Sequence, residues 1–139
     1  MIIMKTSIIL KTISKLLLPF MMLFGIYIIS FGDVSPGGGF QGGAILTTAY
    51  LAFYFISEDK NIDLTKWVKF EKVLFFLLII AGFLSVLSKD VYFTNPILND
   101  SMISKRVFFI LLNLIIAAKV CVGLICIVES FIEEEDDGF

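Results

Sequence analysis

Four long apolar runs dominate this chain: Leu16–Phe31, Phe40–Ile56, Val73–Leu87 and Val107–Val128. The first carries no charge, and the fourth is interrupted only by Asn113 and Lys119. A helix of about 20 apolar residues crosses the roughly 30 Å of hydrocarbon in a bilayer. Lipid offers backbone amides no partners, and no run alternates as a barrel strand does, so each run reads as a helix. With flanking residues the expected spans are about 12–31, 40–57, 72–88 and 107–130, followed by an acidic tail at 133–139. The second and third runs are short and reach only about 25 Å at 1.5 Å per residue, so flanking residues or local thinning must help them cross. The expectation is an all-α integral membrane protein, a single membrane domain over residues 1–139 with about four transmembrane helices.

Composition removes the main rival. Apolar residues make up 58% and charged residues 17% of the chain. Soluble domains hold about 45–50% and about 25%. A net charge of -2 on so greasy a chain also excludes disorder. Lys5, Lys11 and Lys15 at the start resemble a signal peptide, yet Ser30-Phe31-Gly32 makes a poor cleavage site and a second apolar run follows, so the first helix is expected to be retained.

Chemistry is limited by what is missing. The chain has no histidine, and its two cysteines, Cys121 and Cys126, stand at i and i+5 in one apolar run. They point to different faces of a helix and are read as small packing residues. A His/Cys zinc site within the chain is therefore excluded, as is catalysis by a Cys–His or Ser–His pair. No catalytic, cofactor-binding or metal-binding residue is expected, and no cofactor. The 11 Lys and Arg are scattered, so no nucleic-acid partner is expected. The lipid bilayer is the first partner that composition implies.

The connections carry the polarity. Asp63 is placed to cap a helix that holds Trp67 at the interface and runs into the third span. The stretch Ser88–Arg106, with Tyr92, Phe93 and Pro96, is expected to lie along the surface, and the acidic run at 133–137 to be solvated and flexible. Four spans put both termini on the side of the Ser57–Lys72 connection. That side holds Lys5, Lys11, Lys15, Lys60, Lys66, Lys69 and Lys72, against Lys89, Lys105 and Arg106 opposite. Positive charge favours the cytoplasm, so both termini are predicted cytoplasmic.

The most distinctive stretch is Ser35-Pro36-Gly37-Gly38-Gly39-Phe40-Gln41-Gly42-Gly43. Pro36 fixes one φ and the glycines permit positive φ, so the chain can turn sharply. Gly39, Gly43 and Thr47 then form a stripe of small residues on which a neighbouring helix can approach closely. Free backbone N–H groups at the helix start are a second use, as an anion, ion or water contact. No Walker lysine or dinucleotide-binding spacing accompanies them, which argues against a nucleotide.

This nonapeptide, followed by an apolar helix, resembles the signature of the B-subunit family of multisubunit Na+/H+ antiporters of the Mrp or Mnh type. The same subunit type occurs in the antiporter-like modules of membrane-bound hydrogenases and sulfane reductases. Family members often carry His-Gly-His just before the Ser-Pro step, whereas this chain reads Phe31-Gly32-Asp33. An imidazole relay cannot operate here, and Asp33 is the group left to hold a hydrogen bond or a proton. The resemblance implies an accessory subunit of a prokaryotic cell-membrane complex. It would assemble with other small and large subunits near the path of Na+ or H+. The equivalent subunit of a respiratory hydrogenase or sulfane reductase is an alternative, and an independent four-helix membrane scaffold is an alternative of another class.

Lys119 is the only charge well inside an expected span. It lies about 18 Å along a helix from Val107 and about 14 Å from Val128. A lysine stem of roughly 6 Å does not reach either surface without tilt or thinning. Central charges cost about 2.5–3.5 kcal/mol on insertion scales, so a partner, a wet cavity or a shifted pKa is expected. Asn113 lies about 120° around the helix and Glu129 about 15 Å along it. A carboxylate from a neighbouring subunit is therefore the expected partner. Structural ion pair, ion path and snorkelling all stay open. Lys119, Asn113 and Asp33 are the candidate ion-path or intramembrane polar residues.

Overall fold

The computed structural model describes residues 8–57, 63–95 and 102–137. Lys5, Lys60, Pro96 and the end of the acidic tail lie outside the described residues. The described residues form four helices: α1 (Ile8–Ser30), α2 (Gly39–Ile56), α3 (Leu64–Lys89) and α4 (Met102–Asp137). Each is long and apolar enough to cross a membrane.

Helix α2 begins at Gly39 because the two residues before it adopt conformations that a side chain resists, with φ of 148° at Gly37 and 126° at Gly38. The first bond of the new helix runs from the Gly42 N–H to the Gly38 carbonyl, at 3.0 Å. Helix α3 starts at Leu64 because Asp63 caps it, and it runs on into the third apolar run. The Asp63 carboxylate accepts the Lys66 N–H at 3.3 Å and pairs with the Lys66 ammonium at 2.9 Å. Glu71 therefore lies on the helix that Asp63 caps. Helix α4 is longer than expected at both ends. At 1.5 Å per residue it spans about 54 Å, more than a bilayer core. The run from Glu133 to Asp137, expected to be solvated and flexible, is helical.

The helices pack in the spatial order α1, α2, α4, α3, with α1 also touching α4. Helices α2 and α4 run parallel, since Gly39 meets Asn113 and Ile116, Gly43 meets Ala117 and Val120, and Tyr54 meets Glu129. Gly42 faces the other way, onto Ile29 and the Gly25 carbonyl of α1. The stripe of small residues thus serves both neighbours. Helix α3 leans on α4 and touches α2 through Trp67, whose ring centroid lies 6.1 Å from that of Tyr50. After α3 the chain folds back on it. Ser85 donates to the Thr94 carbonyl at 2.6 Å, and Phe93 covers Gly82.

The inner seam holds Ala49, Ala117, Val122 and Ile125, all nearly inaccessible. Outward faces carry Phe20, Leu23, Phe24, Phe76, Phe83 and Leu87, all exposed. A water-soluble monomer rarely shows so continuous an apolar exterior. The chain is a multi-pass membrane protein with apolar outer faces.

Candidate functional site

Polar contacts between elements concentrate on α4. Arg106, Asn113, Lys119 and Glu129 each meet a different part of the chain. At 1.5 Å rise they lie about 10, 9 and 15 Å apart along the helix axis.

Near the start of α4, the Arg106 guanidinium Nε stands 3.4 Å from Asp33 Oδ2 and its charge lies 5.6 Å from the centre of the Phe31 ring. Asp33 is mostly covered and Arg106 half exposed. The pair anchors the α1–α2 turn to α4. Two turns further, Asn113 Oδ1 accepts the N–H of Gly39 at 3.3 Å. The amide oxygen thus takes the orphan donor at the start of α2, where the sequence alone allows an anion. Carbonyl oxygen in place of an anion makes this contact a neutral clasp between two helices. It requires Gly39, because a Cβ there would collide with the Asn113 carbonyl and stand 2.8 Å from Ile116 Cβ.

Lys119 has its partner inside the chain. Its ammonium lies 2.9 Å from Glu71 Oε1 and 5.3 Å from the centre of the Phe75 ring. The expected carboxylate of a neighbouring subunit is thus supplied by α3. The register between α2 and α4 sets Lys119 near the level of Gly43, in the first half of α2 and midway along the apolar span of α4. Both side chains keep about 30% of their surface open, 30% for Lys119 and 28% for Glu71. The pair therefore offers a neutral dipole and an outward opening. An ammonium beside a carboxylate at that depth removes most of the cost of inserting either charge alone.

Toward the other end, Tyr54 donates its hydroxyl hydrogen to Glu129 Oε2 at 3.0 Å. Glu129 is 4% exposed and Tyr54 6%. Sequence reasoning did not single out this pair, nor Glu71, nor the Arg106–Asp33 contact. The three candidates it named do not form one site. Asp33 and Asn113 belong to the glycine turn, whereas Lys119 sits deeper with α3.

A family model described as a domain related to the MnhB subunit of Na+/H+ antiporter matches residues 9–126. Antiporter subunit mnhB2 of Staphylococcus epidermidis is 28% identical over 96 residues, covering 68% of this chain and 65% of the relative. The subunit of the same name from Staphylococcus saprophyticus is 29% identical over 96 residues, with the same coverage. A chain in the solved structure of the membrane-bound sulfane sulfur reductase, an archaeal respiratory membrane complex, superposes with a TM-score of 0.70. It is 30% identical, and the match covers 90% of this chain and 57% of that one. This chain thus spans less than two thirds of the length of each of these relatives. The matched region contains the glycine turn, Asn113 and the Lys119–Glu71 pair.

Proposed function

Because the chain belongs to the MnhB family, related to a subunit of Na+/H+ antiporters, we propose that it is an accessory, non-catalytic membrane subunit of a multisubunit antiporter of the Mrp type. The observation that carries this reading is the family match over residues 9–126 on a bundle whose outer faces are apolar. Four helices of this size present one line of polar contacts, too few groups for a complete ion pathway. An ion path at the edge of this subunit would borrow its second wall from a neighbour. The partly open Lys119–Glu71 pair is the group best placed to face such a path. Both termini lie in the cytoplasm on this reading, by the excess of lysine on their side.

A second reading has its own support. The solved chain with TM-score 0.70 comes from a respiratory sulfane reductase, which favours a complex coupled to redox chemistry carried by other subunits. Affinity purification of the tagged chain in mild detergent, followed by subunit mass spectrometry, separates the cases. Co-purifying large antiporter-type subunits alone support the first reading, and additional redox subunits the second. A homo-oligomer of this chain without other subunits overturns both and leaves a scaffold.

A further inference from the structure

Helix α4 is the hub of the bundle, since α1, α2 and α3 all pack on it. One of its sides nevertheless stays bare. A row of residues three and four apart runs down that side, from Lys119 through Gly123 and Ile127 to Ser130 and Phe131. A Cβ at Gly123 would meet nothing within 4 Å, and Ile127 and Phe131 are exposed. Beyond Gly123 the side forms a shallow hollow lined by Cys126, Ile127, Ser130, Phe131 and Glu134.

Apolar side chains alone would suit lipid, but the head of the row does not. Lys119 lies halfway along the span Lys105–Glu134. It is held at 2.9 Å by Glu71 Oε1, so it does not snorkel to a surface, yet both side chains keep close to a third of their surface open. An ammonium carries three N–H donors. Among the described residues, Glu71 and the face of the Phe75 ring are what this one meets. Acyl chains offer the remaining donor capacity no acceptor, and intramembrane charges face protein or a wet cavity for that reason. The rest of the row decides between the two. Ile127 and Phe131 line it with hydrocarbon, which holds no file of water, and the open space at Gly123 lets another helix backbone come close.

We propose that this bare side of α4 is the seat of a transmembrane helix from a neighbouring subunit, one that presents an uncharged hydrogen-bond acceptor, a hydroxyl or a side-chain amide, to the Lys119 ammonium. The charge balance selects that chemistry. Lys119 and Glu71 already sum to zero, so a further carboxylate or cation from the neighbour would leave a net charge at mid-span, which is costly. An uncharged oxygen meets the spare donors and keeps the seat neutral. The seat rests on the reading of the chain as one subunit of a complex, and it names the surface and the kind of group through which that subunit is held.

The test uses the tagged chain expressed with its native partners. Gly123→Leu fills the open space without touching the chain's own packing. The purified variant should keep its detergent-denaturation midpoint at or above that of wild type, while the yield of co-purifying partner subunits falls about tenfold. The double variant Glu71→Gln, Lys119→Met removes the donors and should lower that yield as well. A benzoylphenylalanine photoprobe placed at Ile127 should form adducts with one partner subunit. Wild-type partner yield in Gly123→Leu, or adducts with lipid or with a second copy of this chain, would overturn the seat and leave the subunit reading standing. So would reaction of Ile127→Cys with a membrane-impermeant thiol reagent in the assembled complex, with Cys121 and Cys126 replaced by alanine, because water would then line this side. A wild-type chain that purifies without partners overturns the subunit reading and the seat together.

Discussion

Replacing Gly43 by alanine adds one methyl group at the close seam between α2 and α4. That Cβ would stand 2.6 Å from the Ala117 carbonyl oxygen and 3.0 Å from the Ala117 Cα. Both obstacles are backbone, so no rotamer change relieves them. Helices α2 and α4 must part by about 0.8 Å to restore an ordinary 3.4 Å contact. A gap of that size along the seam forfeits a quarter to a half of each dispersion contact it opens. Overpacking of this kind costs about 1–3 kcal/mol. Alanine also gains up to about 1 kcal/mol of helix propensity over glycine, which masks part of the loss. Gly123 supplies the internal reference. It lies in α4, and a methyl group added there would meet nothing within 4 Å, so Gly123→Ala takes the propensity gain without the collision. The difference between the two variants should therefore be about 1–3 kcal/mol, with Gly43→Ala the weaker. Titration of the purified chain in micelles with a denaturing detergent measures this. The single tryptophan, Trp67, reports it through its contact with Tyr50 on α2. Equal midpoints for the two variants would refute the close-approach argument.

Glu71→Gln should weaken assembly, because it leaves the Lys119 ammonium unmatched at depth; the double variant Glu71→Gln, Lys119→Met should recover stability relative to Glu71→Gln alone in detergent melts. Asn113→Leu should destabilise the chain by about 1–3 kcal/mol in the same detergent titration, since it orphans the Gly39 N–H at a part-buried helix start. Asp63 has its pKa lowered, chiefly by the side-chain hydrogen bond with Lys66, from the ordinary 3.8. The folded pKa lies below the unfolded one, so this cap stabilises the start of α3 above that ordinary value. Its contribution is lost as pH falls through the folded pKa. Exchange of the Lys66 amide should therefore accelerate on acidification beyond what Asp63→Asn shows, and identical pH dependence would remove the claim.

Much of the fold was legible because membrane crossing leaves few options. The four apolar runs became four helices, and the glycine turn ended where Gly39 starts α2. Asp63 acted as the cap its position suggested, and Gly39 and Gly43 admitted a neighbour as small residues do. The helix expected to run from an Asp63 cap into the third span does so, through Lys66, Lys69 and Glu71. The ends of α4 were less legible. The site was the least legible part, for a physical reason. Three charged residues of α4 are matched by groups far away in sequence: Arg106 by Asp33, Lys119 by Glu71, Glu129 by Tyr54. Apolar periodicity identifies helices but not the register between them. One fixed contact supplies it. Once Gly39 lies against Asn113 in a parallel pair, Tyr54 falls opposite Glu129 without further information.

Sodium-driven proton movement in inverted membrane vesicles tests the central claim most directly. Vesicles from cells lacking this chain, but retaining the rest of its complex, should lose Na+-dependent alkalinisation of a pH dye's compartment. Re-expression of the wild-type chain should restore it. Full Na+-dependent proton movement in the absence of the chain would contradict its place as a subunit of the transport machinery.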